Sequence, residues 1–221
     1  MGRIVLVHGA WHGGWCWEEV VPHLEDAGHQ VITSELHRGS LAGDIAAVQA
    51  DVDGLGDDVV VCGHSYGGMV ITGLRPDHIK HAVYLAALLP DADQGAVAIA
   101  GSAPDTDLSG ALLVTEDGMC TVAADRLVDI FYADCSPAQQ KAAVDRLRPQ
   151  VMATLAEAPG RALWQEVEST YVVCGQDRAI HPDLQAELAK KASRRVDWDT
   201  SHSPFYSAPD RLAELLSSLA S

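Results

Sequence analysis

The chain has 221 residues, 48% of them hydrophobic, and its 31 acidic against 15 basic side chains give a net charge of −16. That length suits one domain with a sizeable core, and the apolar content excludes wholesale disorder. The acidic surplus makes nucleic acid and anionic membranes poor partners, and no apolar run approaches the ~20 residues that span a bilayer.

In chain order, Arg3 to Val7 is a short buried strand, followed by the glycine-rich loop His8-Gly9-Ala10-Trp11-His12-Gly13-Gly14. Trp15 to Ala27 reads as a helix with Gly28 as its stop. His29 to Leu36 is the next strand, and Leu41 to Leu55 a helix with Asp44 and Asp51 on its polar side. Val59 to Cys62 is an apolar, β-branched run that reads as a strand buried on both faces, and Ser65 to Leu74 continues as a helix. Lys80 to Leu89 is another apolar strand, closed by Pro90. From Asp91 to about Gln165 the alternation stops, and helices are expected near Thr121–Tyr132, Pro137–Leu147 and Gln150–Ala158. It resumes with a strand Ser169–Cys174, a helix Pro182–Lys191, a strand Arg194–Trp198 and a helix Pro209–Leu219. Alternating strands and helices predict an α/β fold with a parallel, six-stranded sheet. The irregular stretch is expected to be a small helical cap inserted before the penultimate strand.

The five cysteines are Cys16, Cys62, Cys120, Cys135 and Cys174; the count is odd and no C-x-x-C occurs. No positively charged leader with a cleavage site precedes the first strand. The expectation is a cytoplasmic protein with buried, reduced thiols.

Gly63-His64-Ser65-Tyr66-Gly67 fits G-x-S-x-G between a strand and a helix. The chain must turn within about one residue, placing Ser65 at the apex in a strained conformation, so Gly63 and Gly67 carry no side chain to block the turn. The Ser65 hydroxyl is thereby lifted clear of the sheet's carboxyl edge. The Tyr66 amide sits at a helix N-terminus, where partial positive charge suits a developing oxyanion.

Ligands of an open parallel sheet bind at the carboxyl ends of its strands. Asp177 follows the strand Ser169–Cys174, and His202 follows Arg194–Trp198. The order Ser65, Asp177, His202 is the one this sheet type uses for nucleophile, acid and base. A serine hydroxyl needs a base, and an imidazole takes and returns a proton near neutrality. Asp177 would hold the tautomer. Asp91 is the alternative acid and His181 the alternative base. Ala10 N–H is the candidate second oxyanion donor beside Tyr66 N–H, and His8 is expected to brace its loop. His8 and His12 lie in a glycine-rich loop without a nearby third ligand, so no metal is expected, and no dinucleotide or phosphate-binding pattern calls for a cofactor.

These residues resemble the α/β-hydrolase superfamily, and more narrowly its small methylesterase and hydroxynitrile-lyase branch. The matching stretches are Leu6 to Trp17, Gly63 to Met69, and the segments around Asp177 and His202. The resemblance implies one domain over 1–221 with a cap at about 91–165, and a cofactor-free triad of Ser65, Asp177 and His202. It also implies oxyanion amides on Ala10 and Tyr66. Lyases of the branch carry threonine at the position of Gly9 and lysine at that of Ser203, so these two residues favour hydrolysis. The segment between Leu36 and Val59 is shorter than in the plant members, and the cap is compact and dissimilar, so no substrate is carried over.

The function expected is hydrolysis of a small, largely apolar carboxylic ester or lactone through an acyl-enzyme on Ser65. The alternatives are a hydroxynitrile lyase or other non-hydrolytic use of the triad, and a hydrolase-like receptor. Trp11, Trp164 and Phe131 are expected on the substrate side, with Tyr132, Met119 and Met152 as further cap-side candidates. A homodimer is the assembly allowed for.

Overall fold

The structure, a computed structural model, describes residues 1–37 and 39–221. Strand β1 (Arg3–Val7) leads through a 3-10 turn (Gly14–Trp17) to helix α1 (Val21–Asp26), then β2 (Gln30–Ser34) and α2 (Leu41–Leu55). The helix expected over Trp15–Ala27 is thus broken in two. Pro22 is the reason: it has no N–H to donate, so it is accommodated in the first turn of α1 and not within a continuous helix. α2 forms over the expected residues, and the Ser40 hydroxyl caps it by accepting from the Gly43 amide (3.0 Å).

Then come β3 (Val59–His64), α3 (Gly67–Thr72) and β4 (Ile79–Leu85). β4 stops four residues short of the expected Leu89. At Ala86 the backbone turns left-handed (φ 44°), and the Leu88 amide donates to the Ser65 carbonyl (3.1 Å), so the chain folds over the turn after β3 instead of running on. After the intervening segment, β8 (Glu168–Cys174), α7 (Pro182–Leu188), β9 (Arg194–Trp198), α8 (Pro204–Ser207) and α9 (Pro209–Ala220) complete the chain.

The main sheet has six strands in the order β2-β1-β3-β4-β8-β9, every neighbouring pair parallel. All six residues of β3 are buried, as a strand covered on both faces requires. α9 turns Leu212, Ala213, Leu216 and Ala220 inward and packs with α1, whereas α2 and α3 pack together against β1. The five cysteines are free and buried.

The segment between β4 and β8 departs from an all-helical cap. It contains α4 (Ala96–Ala100), β5 (Leu112–Val114), β6 (Met119–Val122), α5 (Leu127–Phe131), α6 (Pro137–Val144) and β7 (Gln150–Val151). The three strands form an antiparallel sheet in the order β5-β6-β7. The helix expected from Thr121 begins only at Leu127, because β-branched Thr121 and Val122 pair with β5 across a turn closed by Gly118 (φ 80°). The helix expected over Gln150–Ala158 is replaced by β7 and a 3-10 turn (Met152–Leu155). β7 pairs with β6 across some thirty residues (Met119 opposite Val151), a contact with no local signature. α6 starts where expected, with a capping box between Ser136 and Gln139.

The turn after β3 depends on its glycines. A Cβ on Gly63 would lie 2.6 Å from the Gly67 carbonyl oxygen, and one on Gly67 would lie 2.5 Å from that of Val7. Gly63 therefore clears the other arm of the turn, whereas Gly67 clears the neighbouring strand β1. Both obstacles are backbone and cannot rotate away. Gly63→Ala is expected to cost ~3 kcal/mol or more, the upper end for overpacking; a urea midpoint within error of the parent would contradict this.

Candidate active site

Four loops meet at the carboxyl edge of the sheet, following β1, β3, β8 and β9. Ser65 stands at the turn between β3 and α3 with φ 53°, a left-handed conformation that a side chain normally avoids. Its carbonyl accepts from the amides of Gly68 (3.0 Å) and Leu88 (3.1 Å), which holds the turn from both sides.

Asp177 and His202 are brought together. His202 Nδ1–H donates to Asp177 Oδ2 at 2.7 Å, with both side chains buried. The rest of the carboxylate is also satisfied: Oδ1 accepts from the amides of Ala179 (2.7 Å) and Ile180 (3.0 Å), and Oδ2 accepts from Gln185 Nε2 (2.7 Å). The bond at Nδ1 leaves Nε2 of His202 as the acceptor nitrogen. Ser65 Oγ and His202 share no hydrogen bond among the described residues. They are linked through His64, which precedes Ser65, donates from Nε2 to the His202 carbonyl (2.8 Å), and places its ring centroid 4.5 Å from that of His202. The runner-up acid, Asp91, is instead paired with Lys191 (3.0 Å). The runner-up base, His181, caps α7, its Nδ1 accepting from the Asp183 amide (3.2 Å).

The loop after β1 is braced by its own histidines. His8 Nδ1–H donates to the Gly9 carbonyl (2.8 Å) while Nε2 accepts from the Leu36 amide (3.2 Å). His12 Nδ1–H donates to the Ala10 carbonyl (2.8 Å) while Nε2 accepts from the Tyr132 hydroxyl (2.8 Å). Carbonyls only accept, so these bonds set both tautomers. Burial, the largest influence in each case, lowers His8 to about 4 and His12 to about 3, and pushes His64 well below the usual imidazole range. These rings stay neutral and are committed to the fold. No cluster of three metal-ligating side chains occurs among the described residues.

Burial alone would raise the Glu35 carboxyl, but hydrogen bonds from Arg148 (2.9 Å) and the Gly14 amide (2.8 Å) outweigh it and hold the carboxyl low. With Arg148 also donating to the His12 carbonyl (3.1 Å), this pair clamps the far end of the loop. The Ala10 and Tyr66 amides donate to no protein acceptor among the described residues, and both residues face one cavity. That cavity, of about 150 Å³, opens over Ser65 and is walled by side chains such as Ala96, Ala100, Leu112, Met152, Leu155 and Leu184. No aspartate, glutamate, lysine or arginine lines it among the described residues.

Of the residues expected on the substrate side, Trp11 and Met152 line the cavity; Phe131, Trp164, Tyr132 and Met119 do not. Phe131 is buried behind it, its ring 5.7 Å from that of Trp11 and 5.6 Å from that of His202. Trp164 is held away by donating Nε1–H to the Pro90 carbonyl (2.9 Å), with Lys191 over its ring. Three contributors were not foreseen. Gln185 also accepts the Cys174 amide at Oε1 (2.9 Å), joining α7 to the end of β8. Asp134, in the cap, accepts from the Ser201 amide (2.8 Å) and the Ser201 hydroxyl, anchoring the loop of His202. His64 holds the same loop from below. A glutamine on a short helix and an aspartate after another carry no local mark of these roles.

A family model described as the alpha/beta hydrolase family matches residues 4–215. The chain belongs to the alpha/beta hydrolase family. It is 43% identical to a carbendazim hydrolyzing esterase of Nocardioides sp. (strain SG-4G), over 39% of this chain and 42% of that protein. It is 25% identical to Methylesterase 9 of Arabidopsis thaliana, over 100% of this chain and 98% of that one. The crystal structure of polyneuridine aldehyde esterase superposes with a TM-score of 0.87 at 20% identity, covering 100% of both chains, a likeness of fold. This alpha/beta hydrolase is thus of the esterase type, in keeping with the methylesterase resemblance of its motifs.

Its neutral imidazoles make stability depend on pH. An unfolded chain protonates histidine near 6.5, whereas the fold keeps His8 and His12 neutral to about 4 and about 3. Below pH 6.5 the unfolded state therefore takes up more protons, and stability falls as pH drops from 6.5 toward 3. Each ring contributes ~1.4 kcal/mol per pH unit within its window. Urea midpoints are expected to fall steeply between pH 6.5 and 4.5; a flat profile there would contradict the neutral assignment.

Proposed function

We propose that this alpha/beta hydrolase cleaves a small, largely apolar carboxylic ester or lactone through an acyl-enzyme on Ser65. The observation that carries the reading is the buried Asp177–His202 hydrogen bond at 2.7 Å. It lies at the strand edge where Ser65 faces a mostly apolar cavity whose lining includes His181.

In this reading His202 Nε2 takes the Ser65 hydroxyl proton as the oxygen attacks the ester carbonyl. The carbonyl oxygen, now negative, is received by the Ala10 and Tyr66 amides, which have no competing acceptor among the described residues. The protonated His202 gives its proton to the departing alcohol. It then activates a water that releases the acid and frees Ser65. Asp177 supports the transient imidazolium and keeps Nδ1 as the donor. The serine–histidine hydrogen bond is made when substrate is bound, as is common for catalytic contacts that are long in the free enzyme.

Crowding around Gly9 supports hydrolysis over the lyase reading. A Cβ there would fall 2.9 Å from Ser65 Cβ and 3.0 Å from His64 Nδ1, so a larger residue cannot enter without moving the elbow. At the other position, Ser203 is fully buried, and a lysine in its place would bring an unpaired charge into the core.

Ser65→Ala is expected to abolish cleavage of p-nitrophenyl butyrate and labelling by a fluorophosphonate probe, with the fold intact by circular dichroism. Retained turnover would end the acyl-enzyme reading. Asp177→Asn is expected to lower kcat by ~10³–10⁴-fold by favouring the wrong tautomer. A kcat within tenfold of the parent would show that another group orients His202.

A further inference from the structure

A second cavity of about 180 Å³ lies beneath the cap, and Trp11 lines both it and the cavity over Ser65. Its other walls are Thr121, Val122, Leu127, Val144, Leu147, Arg148 and Pro149, so it is apolar apart from the Thr121 and Arg148 side chains. Arg148 is not free to recruit an anion, because its guanidinium is held by Glu35 and the His12 carbonyl. The space suits an aliphatic or aromatic group and has no role in the chemistry described above.

Trp11 is fixed as a wall. Its indole N–H donates to the Cys120 carbonyl on β6 (2.9 Å), its ring packs on Phe131, and its own carbonyl accepts the Arg148 amide (2.8 Å). Its backbone is left-handed (φ 64°), a conformation that a bulky side chain adopts only when its surroundings hold it. Trp11 also follows Ala10 directly, so room opened at its side chain lies beside the proposed oxyanion donor.

We propose that Trp11 is a partition separating the substrate cavity from the second cavity under the cap, and thereby sets the largest apolar group an ester can present there. The proposal rests on reading the first cavity as the ester site. Removing the indole joins the two spaces. Glycine is the suitable replacement because it takes the left-handed backbone without strain.

Binding and turnover test it separately. In a Ser65→Ala background, calorimetry compares 2-pentanone with 2-decanone, ketones that offer a carbonyl without a leaving group. Trp11→Gly is expected to raise the affinity for 2-decanone relative to 2-pentanone at least tenfold. Leu127→Trp, which fills the second cavity from another of its walls, is expected to remove that gain. No gain, or a gain that survives Leu127→Trp, overturns the proposal. If Trp11→Gly is unfolded by circular dichroism, Trp11→Phe is read instead, with a gain above twofold that Leu127→Trp must cancel. With Ser65 restored, the kcat/KM ratio of p-nitrophenyl decanoate to butyrate is expected to rise in step with the binding ratio. A shift in ketone binding with neither ester cleaved by any Ser65 protein upholds the partition and overturns the hydrolase reading.

Discussion

The buried carboxylate of Asp177 is the point on which the candidate site depends. An ionised carboxylate out of water costs many kcal/mol unless donors surround it. Here two backbone amides, Gln185 and His202 do so. Meeting that demand dictates geometry. The chain after β8 must curl so that the Ala179 and Ile180 amides point inward, α7 must present Gln185, and the loop after β9 must deliver His202. Gln185 in turn grips the Cys174 amide, so acid, base and strand end form one hydrogen-bonded unit.

Around that unit the fold places imidazoles that carry no charge. His8, His12 and His64 are each buried, and burial holds them neutral. They act as rigid polar struts, each tying a ring nitrogen to a backbone carbonyl. A protonated ring among them would oppose the positive charge that His202 is proposed to carry in the reaction. Keeping them neutral leaves the proposed proton transfer to His202, whose Nδ1 is bonded to Asp177.

The cap is part of the site's framework as well as its roof. Asp134 holds the loop of His202, Tyr132 satisfies His12, and β6 receives the Trp11 indole. The Arg148 amide, just before β7, donates to the Trp11 carbonyl and so fixes the loop that carries the proposed oxyanion amide of Ala10. The cap therefore orders the loops after β1 and β9 while supplying the apolar walls that give the cavity its character.

The sheet and the elbow were legible in the sequence because their causes are local or periodic. A β-branched run such as Val59–Val61 has few alternatives to a buried strand, and glycines flanking a serine between strand and helix admit one tight turn. Asp177 and His202 were identifiable by their place just after strand ends. What the sequence could not disclose was decided by partners far away along the chain. β7 exists because β6 lies beside it, Thr121 and Val122 are strand and not helix because β5 is there, and Phe131 and Trp164, packed on Trp11 and bonded to Pro90, do not line the cavity over Ser65. The succession of sheet strands and helices is written in the chain; the second cavity behind Trp11 and the donors that satisfy Asp177 arise only when distant segments are packed, since burial and hydrogen-bond satisfaction are properties of the assembled interior.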